Sequence, residues 1–182
     1  MPTQSYIALL RGVNLGPRNK IGMADLRDLV AALGFADPQT LVNSGNVVFH
    51  GAVRPSSAIE RQLEAATTER LKLETVVIVR TATEWKRLVA GNPFRDEAVR
   101  DPGHLLAVVL KDSVAAARVK ALQSAIVGRE RVGGHRGHVY AVYPDGVGRS
   151  KLTLVRIEKQ LGVPATGRNW NTVLRLKELA CG

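Results

Sequence analysis

Short apolar runs and amphipathic stripes alternate along this chain in one order (strand, helix, strand, strand, helix, strand), and the order recurs in the second half. Tyr6-Ile7-Ala8-Leu9-Leu10 is too short for a stable helix and is bounded by Arg11-Gly12, so it reads as a buried strand. Leu26, Leu29, Val30 and Leu33 fall at i, i+3, i+4 and i+7, the spacing of a helix with one apolar face, and Gly34 is its stop. Residues 40–43 and 46–49 are strand-like around Ser44-Gly45, where glycine permits the positive φ of a tight hairpin. Ser57-Ala58-Ile59-Glu60 has capping-box spacing and opens a helix through Ile59, Leu63 and Ala66 to Leu71. Thr-Val-Val-Ile-Val-Arg at 75–80 closes the set.

The second pass is less regular. Residues 104–110 open it as a strand; Ala115, Val119, Leu122 and Ile126 form a stripe; residues 130–133 and 138–143 form a glycine-linked hairpin. Leu154, Ile157 and Leu161 lie on a helix that starts near Ser150 and stops at Gly162, followed by a short strand at 163–167 and a final helix at 169–180. The expected class is α+β: two tandem ferredoxin-like (βαββαβ) lobes with antiparallel sheets, an extra linking helix and a C-terminal helix. The expected divisions are 1–82, a linking helix and loop at 83–102, and 103–182. The rival is one α+β domain around a larger mixed sheet.

Composition narrows the function classes. Lys and Arg number 26 against 16 Asp and Glu, a formal charge of +10, which attracts polyanions. The excess lies mainly beyond residue 90, and between Arg149 and Lys177 seven cations face Glu158 alone. Arginine is 18 of the 26, so an arginine-favouring genome is a competing explanation. No apolar run approaches the roughly 20 residues of a membrane helix, and residues 1–6 lack the order of a signal peptide. The expectation is therefore a cytoplasmic protein without a membrane association. Cys181 is the one cysteine, which excludes a disulfide framework or multi-cysteine zinc site within one chain.

Polar runs interrupt the apolar pattern: Ala-Leu-Leu-Arg-Gly-Val-Asn-Leu-Gly at 8–16, Asn-Ser-Gly-Asn-Val-Val-Phe at 43–49, Asn-Pro-Phe at 92–94, Gly-Arg-Ser-Lys-Leu at 148–152 and Gly-Arg-Asn-Trp-Asn-Thr-Val at 167–173. In this combination the chain resembles the bacterial domain-of-unknown-function 1697 family over residues 6–179. The resemblance implies a compact bacterial α/β protein and no activity, so function has to come from the residues.

Residues 11–22 combine glycines with Arg11, Asn14, Arg18 and Lys20 between a strand and a helix start, where freed N–H groups favour phosphate. The spacing matches neither a nucleotide-triphosphate loop nor a dinucleotide fingerprint. Ser44 and Asn46 stand at the hairpin turn, where backbone needs alone also explain them. Arg149, Ser150, Lys151 and Arg168, Asn169, Trp170 fall at expected helix starts; Ser150 and Asn169 are natural caps, but cations there oppose the helix dipole unless an anion is near. Residues 136–143 match four positions of an RNA-recognition motif, Arg136, Gly137, Tyr140 and Tyr143, with core or lobe-interface tyrosines as the plain alternative.

The four histidines form no metal motif, no serine-nucleophile elbow occurs, and adjacent Ser150 and Lys151 would point to different sides of a helix. No cofactor or metal site is implied, and catalysis stays undecided. The expected function is binding of nucleic acid or a phosphorylated small molecule in a basic inter-lobe cleft. There Arg11, Lys20, Lys151 and Arg168 would neutralise phosphate, Asn14, Ser44, Asn46, Ser150 and Asn169 donate hydrogen bonds, and Trp170 offer a stacking face. The alternatives are an enzyme acting on a small anion in the same cleft and a module whose polar motifs only build turns.

Overall fold

The computed structural model describes residues 2–135 and 137–182. Two compact units are formed, Met1–Lys86 with Arg175–Gly182, and Arg87–Leu174.

The first unit runs β1 (Thr3–Leu10), α1 (Met23–Ala32), β2 (Ala36–Thr40), β3 (Asn46–Ala52), α2 (Ser56–Leu71) and β4 (Val77–Thr81), followed by α3 (Ala82–Ala90), which passes into the second unit. Its sheet is antiparallel in the order β2-β3-β1-β4. The second unit adds α4 (Arg95–Arg100), a 3-10 turn (Pro102–His104), β5 (Leu105–Leu110), α5 (Ala116–Ser124), β6 (Arg131–His135), β7 (His138–Val142), a 3-10 turn (Val147–Arg149), α6 (Leu154–Leu161) and β8 (Ala165–Asn169). Its order, β6-β7-β5-β8, repeats that of the first. This is two antiparallel α+β sandwiches of the βαββαβ kind, with a terminal helix α7 (Trp170–Cys181).

Strand alternation builds each core. Tyr6, Ala8 and Leu10 of β1 meet Val47 and Phe49 of β3, Val77 and Val79 of β4, and the stripes Leu26, Leu29, Val30 and Ile59, Leu63, Ala66 of the helices. In the second unit Leu106, Val108 and Leu110 meet Val139, Ala141, Tyr143, Val119, Leu122, Ile157 and Leu161. The reverse faces are buried as well: Ile7, Leu9, Val48 and Ile78 in one sheet, Leu105, Ala107, Val109 and Tyr140 in the other.

Several local expectations give way to competing chemistry. The second strand is Ala36–Thr40, earlier than the expected 40–43, with a bulge between Ala36 and Gln39. It is a polar edge strand, and the apolar Leu41-Val42 belongs to the turn, Leu41 folding inward and Val42 taking φ 49°. The capping box at 57–60 does not form: Pro55 precedes α2, with no side-chain cap bond. Glu60 instead accepts the Val79 N–H at 2.9 Å, Glu64 one turn later accepts Val77 N–H at 2.9 Å, and Glu84 accepts Thr81 N–H at 2.7 Å. These are alternate residues along an outer strand, whose unpaired N–H groups would otherwise invite another strand. Glu158 of α6 does the same for Ala165 of β8, at 2.7 Å. The fourth helix, Arg95–Arg100, lies in the stretch expected as linker loop. Asn92 closes a turn on Phe94, and Pro93 and Phe94 pack over Gly133, where a Cβ would come within 2.9 Å of the proline.

Candidate functional site

Arg11, Asn14, Lys20, Ser44 and Asn46 belong to the first unit, and Ser150, Lys151, Arg168, Asn169 and Trp170 to the second. In the first unit the polar loops are spent on one another. Asn14, at φ 56°, accepts the Ile21 N–H at 2.9 Å and donates to Ile21 O at 2.9 Å and to Asn43 Oδ1 at 3.1 Å. It therefore closes the loop at 11–22 and ties it to the hairpin turn. Asn46, fully buried, donates to Leu41 O and Ser44 Oγ, both at 2.9 Å. Arg11 borders an open depression of about 420 Å³ whose wall also carries Glu64 and Glu74, which offset its charge, and Lys20 is exposed away from that wall. Asn14→Ala is expected to cost about 2 kcal/mol, through three lost bonds and an unfavourable φ for alanine, lowering Tm by about 4–8 °C. A thermal melt within a degree of the parent would contradict this role.

In the second unit Arg168 lies within β8, not at a helix start. It is 6 % exposed, and burial lowers its pKa to about 10. Its guanidinium donates to Thr166 Oγ1 at 2.6 Å and Gly167 O at 2.9 Å. Asn169 caps α7, accepting the Asn171 N–H at 3.0 Å while donating to Gly103 O at 2.7 Å. Trp170 is 4 % exposed and meets Tyr140 edge-on at 6.3 Å, so its face is not open to a base.

The tyrosines of the RNA-motif match are buried too, Tyr140 donating to Leu88 O at 2.6 Å and Tyr143 to Leu152 O at 3.0 Å; Arg136 of that match lies outside the described residues. Neither ring is a stacking platform, since both are packed inside the protein. Burial raises both phenol pKa values, that of Tyr143 to about 12 with Glu130 adding to the shift. The folded chain thus keeps protons that the unfolded chain releases above about pH 10. Stability is at its full value below that pH and falls as pH rises through it, by up to about 1.4 kcal/mol per pH unit for each tyrosine. Urea midpoints measured between pH 8 and 11 as a series check this; a flat profile would contradict it.

Ser150 and Lys151 come together in a cavity of about 450 Å³ between the end of α5, the turn after β7 and the start of α6. Ser150 is not a helix cap: α6 starts at Leu154 with Thr153 as its cap, accepting the Arg156 N–H at 3.2 Å. The Ser150 hydroxyl donates to Glu130 and accepts the Leu152 N–H at 2.9 Å. That bond, followed by a backbone one, holds the Glu130 carboxyl below the usual range, with the Arg156 charge a smaller contribution. Arg129 pairs with Asp145 at 2.7 Å across the rim.

Asp145 thus has a cation of its own, while Glu130 is held chiefly by the Ser150 hydroxyl. Arg149 and Lys151 are left, exposed at the mouth and without a side-chain partner among the described residues. The sequence pointed to Arg149, Ser150 and Lys151. Gly128, Glu130 and Arg156 were missed, because only the fold brings the 126–130 turn beside 144–152. Arg168, Asn169 and Trp170 do not line this cavity.

The family described as "Protein of unknown function (DUF1697)" matches over residues 3–140. The chain belongs to this family. A conserved bacterial protein of Streptococcus pneumoniae, SP0830, is similar in structure, with a TM-score of 0.73 at 19 % identity, covering 98 % of this chain and 99 % of that one. This likeness concerns the fold. No curated protein matches in sequence. Among the described residues no helix is long and apolar enough to cross a membrane, and no group of three or more His, Cys, Asp or Glu could hold a metal ion.

Proposed function

We propose that this protein binds a phosphate-bearing ligand in the cavity at Arg149, Ser150 and Lys151. The observation that carries this reading is the charge balance of the lining. Arg129 is paired with Asp145, and Arg156 donates to Ala125 O and acts on Glu130 only weakly, whereas Arg149 and Lys151 line the cavity with no carboxylate partner among the described residues. Cations that line one cavity without a carboxylate partner gain from an anion bound there. A volume of about 450 Å³ lies in the range of small-molecule sites, which favours a phosphorylated small molecule or one nucleotide of a strand over a duplex. The polar turn 144–151, with Gly146 at φ 85°, brings backbone close to the guest without a side chain in between.

Arg149→Ala and Lys151→Ala are each expected to weaken binding about tenfold or more, since a charge-assisted hydrogen bond contributes about 1.5–3 kcal/mol. Neither should disturb folding, because both side chains are exposed and unpartnered among the described residues. Thermal stabilisation by added pyrophosphate and by a short single-stranded oligonucleotide checks this. Stabilisation of both variants equal to that of the parent would refute the site. A steep loss of oligonucleotide affinity with salt would identify a nucleic-acid ligand, and a shallow one a small anion.

A further inference from the structure

Glu130 is an anomaly in a pocket for anions. It is a carboxylate placed where a bare phosphate would be repelled, yet the surrounding chain is built to keep it there. The Ser150 hydroxyl donates to its Oε1, and its Oε2 lies over Gly128, in the space that a Cβ there would take. A carboxylate fixed by a hydroxyl on one oxygen retains lone pairs on the other, and these suit hydrogen-bond donors on the guest. Beside it, Arg149 and Lys151 suit a phosphate.

We infer that the cavity recognises a phosphate monoester carrying hydroxyl donors, a sugar phosphate or nucleotide ribose, with Glu130 accepting from the hydroxyls while Arg149 and Lys151 hold the phosphate. This rests on the anion site proposed above and adds the chemistry at its other end. Glu130 is then a specificity residue: it penalises phosphate without a diol and favours phosphate with one.

The test is calorimetric titration of the full chain with ribose 5-phosphate and with inorganic pyrophosphate. Glu130→Gln keeps the shape and removes the charge. It is expected to raise the Kd for ribose 5-phosphate about tenfold, because a charge-assisted bond becomes a neutral one, and to lower the Kd for pyrophosphate about threefold or more, because a repulsion is removed. Gly128→Ala displaces the carboxylate and keeps its charge, so ribose 5-phosphate weakens while pyrophosphate changes less than about twofold. AMP titrated alongside separates a nucleotide source from a free sugar phosphate, and whichever binds more tightly must show the same opposite signs. Tighter binding of both ligands by Glu130→Gln, or no change in either, overturns the diol inference and leaves the anion site standing. Parent protein that binds neither ligand overturns both.

Discussion

Gly45→Ala is expected to lower the unfolding free energy by about 3 kcal/mol, and two separate effects add to that figure. Gly45 adopts φ +73°, where a Cβ costs about 1–2 kcal/mol for a residue of ordinary chirality. An added Cβ would also stand 2.6 Å from Val13 Cγ2 and 2.8 Å from Leu10 Cβ. Both neighbours are buried, at 2 % and 1 % exposure, so room has to be made by shifting the core, at a further cost of about 1–3 kcal/mol. The Gly45 carbonyl accepts the Leu10 N–H at 2.8 Å, so a displaced turn also loosens the end of β1. At an m-value of about 2 kcal/mol per molar, the urea midpoint should fall by about 1.5 M. A shift below a few tenths molar would mean that the turn adapts freely.

Glu60→Ala is expected to cost about 2–3 kcal/mol, although Glu60 is one carboxylate on a long helix. It is 5 % exposed and accepts the N–H of Val79, itself fully buried, at 2.9 Å. Truncation leaves that donor without a partner in a place water does not reach. It also takes the negative charge from beside the Arg80 guanidinium, 3.8 Å away and 16 % exposed. Glu60→Gln keeps an acceptor oxygen and should recover more than half of the loss, which separates a hydrogen-bond role from simple filling of space. Because Glu60, Glu64 and Glu84 together occupy alternate N–H groups of β4, the alanine variant should also self-associate more readily. Equal midpoints for Glu60→Ala and the parent would refute the edge-capping account.

These residues also mark where the sequence was legible and where it was not. Helix stripes such as Leu26, Leu29, Val30 carry their own period, and unbroken apolar runs such as Leu105–Leu110 are too short for a helix, so element order and the α+β class could be read directly. The polar motifs could not, because hydrogen-bonding residues look alike whether they serve a ligand or their own chain. Asn14 and Asn46 are consumed locally, Trp170 and Tyr140 pack against each other, and Arg168 is buried among strand carbonyls and hydroxyls. Glu60 sat in a valid capping spacing but was drawn away by a stronger need, the unpaired edge of β4. Glu130 carried no local signal at all: its meaning depends on Ser150, twenty positions later, and on the missing Cβ of Gly128, where its Oε2 lies.

The central claim is that Arg149 and Lys151 form the anion-binding mouth of one cavity. Titrating the isotope-labelled protein with pyrophosphate while following backbone amide resonances tests it most directly. Saturable shifts concentrated in residues 128–130 and 146–152, and moved to about tenfold or more higher pyrophosphate in Lys151→Ala, are the expected result. Shifts that never saturate, or that concentrate on the loop at 11–22 instead, would contradict the claim.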